Sequence, residues 1–195
     1  MNITDFWQLI DAARAEAAQS SSNREDAIAL ALVDRLAATS KQTIFEYEDI
    51  FDQLHRALYR WDIWAAAYLI GGGCSDDSFM DFRAGLIAQG RDWYERAAAS
   101  PDTLADHPDV ISAAAQGHDM ALFNELVNYV AAYAYKRING DEADCTFNDD
   151  YAKFRSARPD LEPTDMGEDF DFDDASEMHT RLPRLARLFL TPVEN

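Results

Sequence analysis

No apolar run in the 195 residues approaches the roughly 18 to 20 needed to cross a bilayer. The start, MNITDFWQLIDAARAEA, also lacks a basic region ahead of an apolar stretch. The expectation is a soluble cytoplasmic protein with no membrane partner. Cysteine is scarce as well. Cys74 and Cys145 lie far apart with no Cys-x-x-Cys pair, which fits a reducing compartment and two unbridged thiols. The four histidines are scattered, with neither His-x-x-x-His nor mixed Cys/His spacing, so no metal site and no cofactor is expected. Cations are the last shortage: 17 Lys and Arg stand against 36 Asp and Glu, a formal net charge of -19. Phosphate recognition draws on clustered cations, so direct nucleic-acid binding is not expected, whereas a basic protein partner suits this surface.

Hydrophobic residues make up 48% of the chain and aromatics 12%, ample for a packed core in one domain or one with an appendage. The periodicity is helical throughout. Thr4 is placed to cap a first helix carrying Phe6, Trp7, Leu9, Ile10 and Ala13, which runs to a loop at Ser20 to Asn23. A second helix from about Arg24 turns Ile28, Leu30, Ala31, Leu32 and Leu36 inward, and Ser40 caps a third. There Ile44, Tyr47, Phe51, Leu54 and Leu58 recur every three or four residues, the stripe that packs on a neighbouring helix. The stretch Trp61 to Ile70 is apolar nearly all round and reads as the central helix, stopped by Gly71 to Gly73. Ser75, Asp76 and Asp77 supply the next cap, ahead of Phe79, Phe82, Leu86 and Ile87. Ser100-Pro101 and His107-Pro108 each read as a cap with proline in the first turn. Asp119 is placed to cap a long last helix with Leu122, Phe123, Leu126, Val130 and Tyr133 or Ala134 on one face, ending near Asn139-Gly140.

From Asp141 the composition shifts. The final 55 residues hold 15 acidic and 6 basic groups, and Pro159, Pro163 and Gly167 interrupt them. Residues 141 to 173 read as an irregular acidic strap, followed by a short helix near Ala175 to Arg181 and the run Leu182 to Phe189, which docks back. Asp169, Asp171 and Asp173 mimic part of a calcium loop, but Asp174 stands where glycine is wanted and Thr180 where a bidentate Glu is needed, so a solvated acidic run is expected. The fold class is all-α: a compact multi-helix bundle over residues 1–140, with residues 141–195 an acidic extension docked on it.

The segment from Tyr59 through Arg60-Trp61-Asp62-Ile63-Trp64-Ala65-Ala66-Ala67-Tyr68-Leu69-Ile70-Gly71-Gly72-Gly73-Cys74-Ser75-Asp76-Asp77 to Arg83 resembles the hallmark of an uncharacterised bacterial family of unknown function. The likeness continues through Leu86 to Gly90 and Pro101 to Ala105, and Asp5 to Ile10 looks like the family's opening, so it spans most of residues 1 to about 137. It implies no reaction, cofactor or catalytic residue.

The same segment is the best site candidate on chemistry alone. Three glycines admit a ligand to the backbone, and Trp61, Asp62, Trp64, Tyr68, Gly72, Gly73, Cys74, Asp76, Asp77 and Arg83 gather aromatic and polar groups there. The competing reading is a tight interhelical turn in which Ser75 or Asp76 caps a helix and Cys74 is a small buried hydrophobe. A P-loop is excluded by the missing Gly-Lys-Ser/Thr, and two carboxylates favour a cation or amine over an anion. Nucleophilic catalysis by Cys74 lacks an activating base nearby in sequence, and Asp76 and Asp77 diverge on a helix, so no catalytic residue is assigned. Arg60 and Arg83 are expected to neutralise Asp62, Asp76 or Asp77. The leading functional expectation is a non-enzymatic acidic interaction domain with a basic protein partner; the alternative is a small-ligand sensor or enzyme using Gly71 to Asp77.

Overall fold

Short polar side chains and glycines set many helix ends, and the computed structural model, which describes residues 1–19, 24–117, 120–140, 146–159 and 165–190, shows which ones. Helix α1 (Ile3–Ala17) is capped by Asn2, whose side chain accepts from the N–H groups of Thr4 and Asp5 while Asp5 accepts from the Asn2 N–H. Thr4 thus lies inside the first turn. The reciprocal Asn2–Asp5 box satisfies donors on both sides, which a lone Thr4 hydroxyl does not. In α2 (Arg24–Ala37), Ile28, Ala31, Leu32 and Leu36 are buried, but Leu30 is 53% exposed, because a residue two positions from both Ile28 and Leu32 falls on the far face. Helix α3 (Lys41–Ala57) begins behind Ser40, whose hydroxyl accepts the Thr43 N–H at 3.1 Å. Its stripe holds: Ile44, Tyr47 and Phe51 are buried, as is Leu58 just beyond it, with Leu54 half-buried.

The remaining helices are α4 (Trp61–Gly71), α5 (Asp76–Ala88), α6 (Arg91–Ala99), α7 (Pro108–Gln116), α8 (Val130–Asn139), α9 (Phe147–Arg155), α10 (Ala175–Arg181) and α11 (Pro183–Phe189), with 3-10 segments at Pro101–Asp106 and Glu125–Tyr129. There is no strand among the described residues, and the all-α expectation stands. Two longer-range expectations fail as well. The long helix from Asp119 does not form: Asp119 lies outside the described residues, Met120 and Leu122 adopt positive φ of 63° and 71°, and regular α-helix starts only at Val130. Leu122 and Phe123 are buried all the same, held by packing on irregular backbone. The acidic strap is also not irregular throughout. Residues 147–155 form α9, whose first turn holds Asp149 and Asp150 and whose last turn holds Lys153 and Arg155, the charge order that the helix dipole favours. The loop at 20–23 and Cys145 lie outside the described residues.

The chain divides into two compact units, each drawing on early and late segments. The first comprises Met1–His55 and Asn124–Pro163. In it α1 packs on α2 and α2 on α8, while Phe6, Tyr47 and Phe51 stack in a row with centroids 5.0 and 6.2 Å apart. Phe45 of α3 meets Tyr135 of α8 at 5.7 Å and Phe154 of α9 at 5.5 Å; such pairs contribute about 0.5–1.5 kcal/mol each beyond the area they bury. Asp49, 3% exposed, receives the guanidiniums of Arg155 and Arg158 and so ties α9 and the residues after it to α3. The second unit comprises Arg56–Phe123 and Thr164–Asn195. Here α11 packs on α4, α7 and the 3-10 segment at Pro101–Asp106, α5 packs on α4 and α6, and α10 packs on α11. Asp102 accepts the N–H groups of Arg184 and Leu185, capping α11 from outside its own chain segment.

Candidate functional site around helix α4

Helix α4 has two unlike faces. Ile63, Ala65, Ala66, Ala67, Leu69, Ile70 and Gly71 are buried, and the alanines let neighbouring helices approach closely. Trp61, Trp64 and Tyr68 fall on the other face and stay half-buried, so a helix apolar nearly all round is fully buried on one side alone. The Trp61 and Trp64 rings stack at 5.4 Å and 10°, and Trp64 stacks on Phe79 of α5 at 4.7 Å and 12°. What covers this face is the acidic segment of Asp169, Asp171 and Asp173, which is therefore not simply a solvated run. Phe172 sets its ring against Trp61 at 6.1 Å and Tyr68 at 5.5 Å, the Tyr68 hydroxyl donates to Asp173, and the Trp61 N–H donates to Met166 O at 3.0 Å. That hydrogen bond to a carboxylate raises the Tyr68 phenol above its ordinary range.

The carboxylates of this strap, residues 165–174, have local duties. Asp165 accepts the Gly167 N–H at 2.9 Å, Asp171 accepts the Asp173 N–H at 2.9 Å, and Asp174 caps α10 through the N–H groups of Ser176 and Glu177. These are turn and cap bonds, the chemistry that suits Asp at such positions. Asp169 is exposed and takes no part in them. The alternation in Asp169-Phe170-Asp171-Phe172-Asp173 was the available signal: every second residue is aromatic, and both phenylalanines are half-buried.

At its C-terminus α4 ends on Gly72, in the left-handed region at φ 63°, where a side chain is strained. The Trp64 indole N–H donates to Cys74 O at 3.0 Å and closes the turn from within. Ser75 caps α5, accepting the Ser78 N–H at 3.2 Å, with Asp76 and Asp77 exposed in the first turn. Burial pushes the Cys74 thiol up to about 12, with the charges of Asp81 and Asp76 adding to the shift, so the thiolate that a nucleophile requires is scarce at neutral pH. Arg83 is buried with its guanidinium carbon 4.7 Å from both the Tyr59 and Phe79 rings, and its Nε donates to Phe79 O at 3.3 Å. Burial lowers it to about 10, opposed by nearby negative charge that includes Asp76, and it remains a cation at neutral pH.

At the other end of α4, Arg60 pairs with Asp62 through Nε at 2.9 Å and Nη2 at 2.5 Å, as expected. These two residues, the strap and α10 border an open-sided cavity of about 350 Å³, into which Asp165, Glu168, Phe170 and Arg181 also face. Of the ten site residues proposed from sequence, only Asp62 lines this space; Trp61, Trp64 and Tyr68 form the aromatic face, Gly72, Gly73, Cys74, Asp76 and Asp77 the turn and helix start at the opposite end, and Arg83 is buried on α5. Among the described residues, no group of three or more His, Cys, Asp and Glu side chains is arranged to hold a metal ion, and no helix is long and apolar enough to cross a membrane.

Fold and site together define an all-α protein organised, in its second unit, around a helix with one buried alanine-rich face and one strap-covered aromatic face. Residues 1–137 match the model of a family described as Protein of unknown function (DUF4240), and the chain belongs to that family. The match takes in α1 to α7 and most of α8 and stops short of the strap. No curated protein and no solved structure matches the chain.

Proposed function

We propose that this chain is a cytoplasmic, non-enzymatic helical interaction domain whose partner is a basic protein. The observation that carries this reading is the charge and its spread. The first unit holds 18 acidic against 9 basic side chains, net -9, and the second 18 against 8, net -10. Both bodies therefore attract cations at long range, which raises association rates and makes them salt-dependent. Residues 1–140 supply the helical domain and 141–195 the acidic extension docked on it, contributing α9, the strap, α10 and α11. The glycine turn supports the reading indirectly, since Trp64, Ser75 and Cys74 are engaged in closing and capping it.

The test is affinity capture at low ionic strength, identification of the bound proteins, and titration of the purified partner at two salt concentrations. The expected partner is basic, binds several-fold more weakly at the higher salt, and associates more slowly with Asp169→Lys or with Asp76→Lys/Asp77→Lys. A partner that is not basic, or an affinity indifferent to salt and to these variants, overturns the reading. One observation favours the small-ligand alternative at Gly71 to Asp77: a Cβ at Gly72 or Gly73 meets nothing within 4 Å, so that backbone is open to approach. A metabolite-induced rise in melting temperature that Asp76→Ala abolishes would move the assignment there.

A further inference from the structure

The cavity beside the start of α4 carries both signs of charge and an apolar wall. Arg60 spends Nε and Nη2 on Asp62 and one Nη1 hydrogen on Ala98 O at 2.8 Å, three of the five donors on a guanidinium. Arg181 donates Nε to Glu177 at 2.8 Å and pairs through Nη2 with Glu168 at 3.1 Å, while its guanidinium lies 4.3 Å above the Phe170 ring. Both cations are held in place with donors left over. The Glu168 side chain is 75% exposed, a rim partner that an anion better placed on Arg181 displaces. Asp165, exposed at the opening, directs one oxygen to the Gly167 N–H and keeps its charge available.

A lone anion is disfavoured by the net charge of -19, and a lone cation leaves the guanidinium donors unused. We infer that this cavity binds a small zwitterion of the α-amino-acid class, with its carboxylate on Arg181 and Arg60, its ammonium on Asp165 and Glu168, and an apolar side chain against Met166 and Phe170. A zwitterion carries no net charge for the acidic surface to repel. Planar carboxylates match the guanidinium fork, and about 350 Å³ lies at the small end of the ligand-pocket range, suited to one amino acid. The inference uses neither the protein partner nor the glycine turn, so it stands or falls separately from the proposed function.

The experiment is calorimetry together with thermal shift on the full chain, using leucine, methionine and phenylalanine, their N-acetyl derivatives and their amides. The free amino acids are expected to bind. Each derivative, lacking one of the two charges, is expected to bind at least about tenfold more weakly. Arg181→Gln loses at least about tenfold, and Asp165→Asn also weakens binding while keeping the oxygen that accepts the Gly167 N–H. Should Arg181→Gln lower the melting temperature, Asp165→Asn alone decides. Binding of the amides alone, binding of the N-acetyl derivatives alone, full affinity in both variants, or no response up to about 10 mM of any compound would each overturn the inference.

Discussion

Replacing Gly71 by alanine separates a turn built for packing from one kept open for a ligand. Gly71 is the last residue of α4, and its φ lies outside the left-handed range, so backbone freedom is not what it supplies. Helix propensity alone predicts that alanine stabilises it by about 1 kcal/mol. The structure predicts the reverse. A Cβ there would lie 3.0 Å from Phe123 Cζ, 3.4 Å from Cε2 and 3.8 Å from Met120 Sδ. Phe123 has little room to yield, being 7% exposed, packed on Phe82 at 5.1 Å and preceded by Leu122 in positive φ. Overpacking of this kind costs about 1–3 kcal/mol, so the net expectation for Gly71→Ala is a loss of about 1 kcal/mol, or about 2–4 °C for a chain of this size. Equilibrium urea unfolding followed by tryptophan fluorescence reads it as a lower midpoint at unchanged slope. Adding Phe123→Leu should make the Gly71→Ala penalty smaller, a coupling that propensity does not produce. Gly72→Ala should also cost about 1 kcal/mol, for a different reason: its φ of 63° is left-handed although the space around it is open. A Gly71→Ala protein more stable than its parent, with no coupling to Phe123, would refute the packing argument.

Glu48 offers a pH test in the first unit. Burial first, and the charge of Asp52 second, hold its carboxyl well above 4.5. The folded protein therefore binds that proton more tightly than the unfolded chain, and Glu48 destabilises progressively as pH rises above 4.5, with no effect below it. Glu48→Gln should be more stable than the parent at neutral pH and lose that advantage below 4.5; denaturant melts across pH showing a constant difference, or the opposite sign, would sink the assignment. Cys74 offers a chemical one. With its thiol at about 12 against an ordinary 9.0, it should alkylate with iodoacetamide at neutral pH slower by about one to two orders of magnitude than in the denatured chain, the scarcer thiolate being in part offset by its greater nucleophilicity, read on its own peptide by mass spectrometry. Equal rates in the two states would show an accessible, reactive thiol and reopen a nucleophilic role.

Sequence by itself determined the secondary structure class and most of the helix limits. Spacings of three and four placed Ile44, Tyr47 and Phe51 on one buried face, and glycine and serine chemistry ended α4 and began α5 where the structure has them. Such signals are local: a cap, a proline at a first turn and a hydrophobic stripe act within one or two helical turns. Tertiary structure decided what local signals leave ambiguous. Leu122 and Phe123 fit a helical stripe on paper, yet contacts with Phe82 and the space left by Gly71 hold Phe123 on non-helical backbone. The stretch Trp61 to Ile70 is apolar nearly all round by sequence, and only the fold shows that the buried surface of α4 is the alanine one and that the tryptophans meet a strap about a hundred residues further along the chain. Composition alone could not separate the carboxylates that cap and turn from one that does neither, since Asp165, Asp171 and Asp174, all exposed like Asp169, differ from it in which N–H groups the folded backbone brings to them. The cavity is the furthest from the sequence: Arg60, Asp165 and Arg181 belong to separate segments, and only the packing of α4, the strap and α10 gives them a common space.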